Sequence, residues 1–263
     1  MTLSTEPYKG VQDFYPEDMR VENFIFSTWR KVVESMGYEE YSASPLESAE
    51  IYKEKSGEEI VNQQMFTFTD KGGREVALRP EMTPTLARMV AARRKSLKFP
   101  LRWYSIPNLF RYEKPQRGRR REHYQLNVDL MGIDDVSADI EMVSVAHKIM
   151  KAFGTEDKDF EVRLNFPTGS KEELEAFIGK LKEVGIENAK IDETLARGQA
   201  YYTGIVFEIF DTDPVNGRSI CGGGRYDDLL KIFEVEPVPT VGFGMGDIAL
   251  KDFLETHKLL PDA

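Results

Sequence analysis

Cysteine, histidine and long apolar runs are scarce in this chain, and each scarcity closes off a class of function. Cys221 is the single cysteine in 263 residues, so an internal disulfide is impossible and a cysteine-rich metal centre is excluded. His123, His147 and His257 stand far apart, without the close spacing of metal ligands, and no metal site is expected. No apolar stretch approaches the roughly 20 residues that span a bilayer. The opening MTLSTEPYKG lacks the basic-then-apolar order of a secretory signal, so a cytoplasmic location without a membrane partner is expected. Positive charge is short as well. The 35 Lys and Arg face 45 Asp and Glu, a formal charge of −10, which argues against general coating of nucleic acid or anionic membrane. Any contact with phosphate must be local.

What the chain does have is apolar material, 41% of its residues with 11% aromatic, ample for a packed core. Val21, Phe24, Ile25, Trp29, Val32, Val33 and Met36 recur at helical steps between Pro16 and Gly37, which predicts one long amphipathic helix. Strands are expected at Met65 to Thr69 and Arg74 to Leu78 around Asp70-Lys71-Gly72-Gly73. Thr83 and Pro84 then cap and start a helix to about Arg94. Further strands are expected at Leu101 to Ile106, Leu109 to Glu113, His123 to Gly132 and Phe160 to Asn165, with a helix from Ser137 to Phe153 before the last. Ser170 and Glu173 form a capping box for a second clear helix that ends at Gly185. A strand from Gly204 to Asp211, a turn at Asn216-Gly217, a strand to Cys221, a short helix after Gly224, and a strand and helix around Val241 to Leu259 follow. Hairpins outnumber βαβ units, so the reading is one α+β domain over 1–263, an antiparallel sheet flanked by helices.

Four stretches could carry chemistry. In RYEKPQRGRRR, six of the eleven residues from Arg111 to Arg121 are Lys or Arg, enough to recruit phosphate locally, although a solvated hairpin would read the same way. In HYQLNVDLMG the residues alternate: Tyr124, Leu126, Val128 and Leu130 point one way, Gln125, Asn127 and Asp129 the other. With Arg111 on the neighbouring strand, the polar row makes a floor for a small molecule, or merely a solvated sheet face. LRPEMTP places Arg79, Glu81 and Thr83 where a strand gives way to a helix, which suits a ligand or ordinary capping. The glycine triplet in CGGGRYDDLL reads as a turn that also permits close backbone approach.

Taken in order, YKGVQDFYPEDM, SPLES, ALRPEMTP, FRYEKPQRGRRREHYQLNVDLMG, RGQAYYTG and CGGGRYD resemble histidyl-tRNA synthetase, a class II aminoacyl-tRNA synthetase. The resemblance implies the class II catalytic fold and a histidine–tRNA ligase. Such an enzyme joins histidine to the α-phosphate of ATP, with Mg2+, and passes it to the acceptor stem of tRNA(His). It implies Arg111 and Arg197 as the catalytic cations at carboxylate and phosphate, and Glu81, Thr83 and Gln125 around the amino group. Asp129, Tyr202 and Tyr226 would hold the imidazole. Arg111, Glu113, Arg119 and Arg225 would bear on ATP, and Gln116 with Arg117 on the acceptor end. A homodimer is implied too, built on the long helix through Trp29 and the strand before Pro45.

The chain departs from the family pattern at four places. Gln199 and Ala200 follow Gly198 in place of leucine and aspartate, and Ala249 stands where the last motif carries an arginine, with Arg225 a candidate substitute. FPTG alone replaces a helical insertion, a shortening placed around 165–190, and the chain is expected to lack the family's anticodon-binding domain. The loss at Ala249 leaves a second reading open, a non-catalytic histidine-binding regulatory subunit of synthetase-like fold.

Overall fold

A computed structural model of the chain describes residues 3–54, 56, 60–114, 116, 118–195 and 202–261. The strands, numbered along the chain, are β1 (Glu39–Glu40), β2 (Leu46–Ser48), β3 (Phe66–Thr69), β4 (Glu75–Leu78), β5 (Leu101–Ser105), β6 (Asn108–Phe110), β7 (Glu122–Met131), β8 (Phe160–Asn165), β9 (Ala189–Ile191), β10 (Val206–Asp211), β11 (Ser219–Arg225) and β12 (Thr240–Gly246). The helices are α1 (Pro16–Ser35), α2 (Ala49–Lys53), α3 (Thr83–Arg93), α4 (Val136–Ala152), α5 (Lys171–Glu183) and α6 (Asp247–Thr256). A π-helical turn covers Ile60–Gln64 and a 3-10 helix Leu229–Phe233. Among the described residues no helix is long and apolar enough to cross a membrane.

Local chemistry sets the helix limits. Pro16 opens α1 with its ring already at a helical φ. Glu17 and Asp18 sit at the positive end of the dipole, and Asp18 accepts from the Tyr15 N–H at 3.1 Å. Asp135 caps α4 by accepting from Ser137 N–H at 2.8 Å, and the expected box at α5 closes in both directions, Glu173 N–H to Ser170 Oγ at 3.2 Å and Ser170 N–H to Glu173 at 2.7 Å. Gly37 and Gly185 end their helices at φ +84°, a conformation other residues resist. At α3 the reading needs correction: Met82 is the capping residue, Thr83 is already helical, and no side chain caps.

The large sheet runs β1-β5-β7-β12-β11-β10-β8-β9, with β6 beside the start of β7, and is antiparallel except for the edge pairs β1 with β5 and β8 with β9. One face carries the main core, in which Leu126, Val128 and Leu130 of β7, Phe243 and Met245 of β12 and Phe207 and Ile209 of β10 meet Ile25, Trp29 and Val33 of α1 and the buried side of α4. Each such side chain contributes about 1.5 to 3 kcal/mol on burial. On the other face, α3 and the 3-10 helix cover Leu101, Met131 and Tyr226 and leave the centre open. β2, β4 and β3 form a separate small sheet.

Two expectations fail for identifiable reasons. Gly222, Gly223 and Gly224 lie inside β11 instead of in a turn, because they pair on both sides, with Glu208, Phe207 and Val206 of β10 and with Gly244, Phe243 and Gly242 of β12. Glycine's low strand propensity is overridden by crowding: a Cβ on Gly223 would stand 2.0 Å from the Gly242 carbonyl oxygen and 2.5 Å from Phe243 Cβ. β2 and β9, of three residues each, are too short to carry a period of two and escape a sequence reading, whereas β1, of two residues, lies where the resemblance implied a strand before Pro45.

Gly223→Ala is therefore expected to destabilise the chain by about 1 to 3 kcal/mol in urea unfolding. Gly179→Ala, on the exposed side of α5 with nothing within 4 Å of the added methyl, should stabilise it by about 0.5 to 1 kcal/mol. Equal effects at the two positions would count against the packing described.

Candidate active site

The pairing of β7 with β12, and of β12 with β11, builds a polar trough on the open sheet face. Asn127 lies opposite Gly244, Gly244 opposite Gly222, and Gly222 opposite Glu208, while Asp129 lies opposite Gly242. Directly opposed residues share a face, so the middle of the trough is bare backbone rimmed by amide and carboxylate side chains. The glycines are required by what surrounds them. A Cβ on Gly242 would come within 2.5 Å of both Asp129 Oδ1 and Tyr226 Oη, and one on Gly244 within 2.8 Å of Gln125 Cδ.

The trough divides into three adjoining compartments. The inner one, about 130 Å³, is lined by Glu81, Thr83, Arg111, Gln125, Asn127, Asp129, Tyr202 and Tyr226 over the glycine floor. The middle one, about 300 Å³, shares Arg111, Gln125, Gly222 and Gly244 with it and adds Glu113, Arg119, Arg120, His123, Glu208, Asp247 and Ala249. The outer one, about 400 Å³, adjoins the middle one at Gly118, Ile220 and Ala249 and includes Gln116, Arg218 and Asp252.

Each expected residue can now be placed. Glu81 (3% exposed) comes from the turn between β4 and α3 and Thr83 is the first residue of α3, and Glu81 accepts a short hydrogen bond from Ser56 Oγ. Gln125 and Asp129 come from β7. Tyr226 donates a short hydrogen bond to Asp129, and Tyr202 meets Tyr226 edge to face at 6.2 Å between ring centres. Arg111 stands at the wall shared by the inner and middle compartments. Its Nε donates to the Pro80 carbonyl at 2.9 Å, which holds the guanidinium and leaves its outer nitrogens for a ligand. Arg111 lies one residue beyond β6, but its N–H donates to the Arg121 carbonyl at 2.9 Å, so the pairing continues past the strand. Arg119 Nε pairs with Glu113 at 3.4 Å. Gln116 and Arg119 exchange two backbone hydrogen bonds with Gly118 at φ +73° between them, forming the hairpin tip. Arg117 and Arg197 lie outside the described residues.

Arg225 is a correction. Its Nε lies 3.2 Å from both oxygens of Asp139, and its Nη atoms donate to the Ile133 and Asp135 carbonyls. It ties the end of β11 to the start of α4 and lines none of the three compartments. Arg79 and Arg121 are structural too. Arg79 is spent on Ala43 and Asn108. Arg121 stacks 3.7 Å from the Tyr112 ring centre and donates to Tyr8 Oη at 3.0 Å, pinning the N-terminal segment. Sequence alone could not separate these arginines from the ones facing the cleft. His123 and Glu208 were missed although the same alternation carries a signal for His123, two positions before Gln125.

Burial dominates the electrostatics. It pushes the Asp129 carboxyl up to about 7, against the opposing hydrogen bond from Tyr226. Burial and then Glu22 push Asp247 up to about 7. Burial and then Arg111 pull the His123 imidazole down to about 3, so it is neutral at physiological pH. The inner compartment thus offers one buried carboxyl with a phenol on it, a second carboxyl at Glu81, and a cation at its mouth. This is the equipment to hold a small zwitterion with a hydrogen-bonding side chain while its carboxylate faces an anion in the middle compartment.

A family model described as histidyl-tRNA synthetase matches residues 10–168 and 163–248. The histidine–tRNA ligase of Leptospira biflexa serovar Patoc is 41% identical, with 99% of this chain and 76% of that protein covered. The alignment runs over 333 positions, more than this chain contains, so the relative carries segments that are missing here within the aligned span. Among solved structures, apo S. aureus histidyl-tRNA synthetase superposes with a TM-score of 0.82 at 27% identity, covering 99% of this chain and 72% of that one. A Bacillus halodurans protein described as an ATP phosphoribosyltransferase regulatory subunit/histidyl-tRNA synthetase gives 0.81 at 25%, covering 100% and 85%. The class II catalytic fold is therefore shared.

Asp129 also makes a pH-dependent cost. Its folded pKa of about 7 lies above the ordinary 3.8, so between about pH 4 and 7 the folded chain keeps a proton that the unfolded chain releases, and stability falls as pH rises through that window. Asp129→Asn removes this cost. In urea unfolding the variant should gain on the parent by about 1.4 kcal/mol per unit of displacement, the gain growing from pH 4 to 7 and level above. A difference independent of pH would contradict the assignment.

Proposed function

The chain belongs to the histidyl-tRNA synthetase family, and from that membership and the geometry of the cleft we propose that it activates histidine with ATP and can pass the product to tRNA(His). The observation that carries the reading is the position of Arg111 and Gln125 on the wall common to the inner and middle compartments. A reaction that joins an amino-acid carboxylate to a phosphate needs both groups to meet where one cation can touch each.

In this reading the histidine ammonium is held by Glu81, Thr83 and Gln125. The imidazole sits against Asp129, Tyr202 and Tyr226, where a carboxyl and phenols can pair both ring nitrogens and reject an isostere that lacks one of them. Arg111 draws the carboxylate and the α-phosphate together. A carboxylate oxygen attacks α-phosphorus, the bond to the β-phosphate oxygen breaks, and pyrophosphate leaves with the electron pair. Charge grows on the phosphate oxygens as this happens, and a guanidinium fixed in advance by the Pro80 carbonyl stabilises that charge without having to reorganise. Arg197 is proposed as the second cation on the strength of the family resemblance. Glu113 and Arg119 bear on ATP, and Gln116 with Arg117 on the acceptor stem.

Mg2+ would come with ATP. Among the described residues no group of three or more His, Cys, Asp or Glu side chains is arranged to hold a metal ion, which suits an ion ligated mainly by phosphate and water with one or two carboxylates, such as Glu113 or Glu208. A homodimer belongs to the same proposal. The apolar face of α1 is spent on the chain's own core, so the surface for a second copy is better sought on the small sheet, where Leu46 and Phe68 are each 49% exposed.

A histidine-binding regulatory subunit is the second reading, favoured by Ala249, which contributes only a methyl to the middle compartment. Histidine-dependent exchange of labelled pyrophosphate into ATP separates the two. The synthetase reading expects exchange, and expects Arg111→Ala to lower its kcat about 10²- to 10³-fold. Histidine binding without any exchange would decide for the regulatory reading.

A further inference from the structure

We propose that Arg218 supplies the cation for the distal phosphates of ATP, at the end of the cleft where Ala249 leaves an apolar wall. The inference rests on the synthetase reading for the identity of the nucleotide. The cations of the middle compartment are partly neutralised by neighbours. Arg119 pairs with Glu113, and Arg120 lies in the field of the buried Glu22 and Asp247 carboxyls. Arg111 sits at the inner end. A triphosphate whose α-phosphate lies at Arg111 must therefore run its most highly charged part outward, toward Gly118, Ile220 and Ala249, the residues where the middle and outer compartments join.

Among the described residues, Arg218 is the cation that lines the outer compartment. It precedes β11, is exposed, and lines the outer compartment together with Ala249. A Cβ on Gly118 would stand 3.3 Å from Arg218 Cδ, 3.7 Å from Asp252 Oδ2 and 3.8 Å from Arg218 Nε, so the side chain reaches from the β10–β11 turn to the hairpin tip, beside the Asp252 carboxylate. Among the described residues no hydrogen bond or ion pair engages it. This contrasts with Arg225, which is committed to Asp139. A guanidinium on one wall and a methyl on the facing helix can exchange roles, because either position reaches the same junction. The forked donor set of arginine suits a terminal phosphate.

The test is titration calorimetry of the chain with ATP and with AMP, which lacks the distal phosphates. Arg218→Ala is expected to weaken ATP about 10- to 100-fold, the effect of one charge-assisted hydrogen bond, and to leave AMP within twofold. Adding Ala249→Arg to that variant should restore ATP binding, which a merely structural role for Arg218 would not allow. Unchanged ATP affinity in Arg218→Ala, equal losses for ATP and AMP, or absence of ATP binding by the parent chain would each overturn the assignment. Failure of Ala249→Arg to rescue would overturn the exchange of roles. If Arg218→Ala alters only transfer to tRNA, the residue serves the acceptor stem and the proposal is wrong. A parent chain that binds ATP through Arg218 but shows no histidine-dependent exchange would sink the synthetase reading while this inference stands.

Discussion

The register between β7 and β12 is the constraint on which the cleft depends. With Asp129 opposite Gly242 and Asn127 opposite Gly244, every second residue of β7 faces a glycine, and the polar side chains overhang an empty floor instead of being packed against neighbours. A slip of one residue would turn Leu126, Val128 and Leu130 out of the core and bury the polar row. The main core enforces the register, because the same three side chains are 0 to 1% exposed against α1 and α4.

Charge is sorted by the same architecture. An acidic protein concentrates cations on one hairpin, and the structure divides its arginines into two groups. Arg79, Arg121 and Arg225 are buried or nearly so, with carbonyls, a phenol or a carboxylate as fixed partners. They hold loops and helix ends in place. Arg111, Arg119, Arg120 and Arg218 border the cleft. The structural arginines have their donors spent, while Arg111 has one donor spent and the rest directed to where a substrate would lie. The cleft's carboxyls are treated in the opposite way, since Asp129 is kept near its neutral form by burial. Stability is given up there for a hydrogen-bonding group that lines the inner compartment.

Family membership and the cleft inform at different resolution. Similarity along 99% of the chain to a histidine–tRNA ligase carries the fold and the order of the motifs. It does not say how this chain manages with Ala249. Among the described residues, Arg111, Arg119 and Arg120 share the middle compartment with Ala249 and Arg218 shares the outer one, whereas Arg225, after the glycine triplet, lines neither.

The sequence by itself determined the long helix from Pro16, the capping box at Ser170, the alternation of β7 and the presence of a local cation cluster. Each of these is set by contacts within a few residues: a proline ring, a side chain bonding three positions on, a period of two. The structure brings Glu81, Thr83, Gln125, Asp129, Tyr202 and Tyr226, which the resemblance groups around histidine, to the inner compartment, and Arg197 lies outside the described residues. Tertiary structure alone decided which arginines are structural, because Arg225 finds Asp139 from 86 residues away. It also decided that Gly222 to Gly224 form a strand, since only pairing on both sides and the crowding of Gly242 and Phe243 make glycine necessary there. No local pattern reports a partner that distant, and for that reason the floor of the cleft was invisible until the strands were paired.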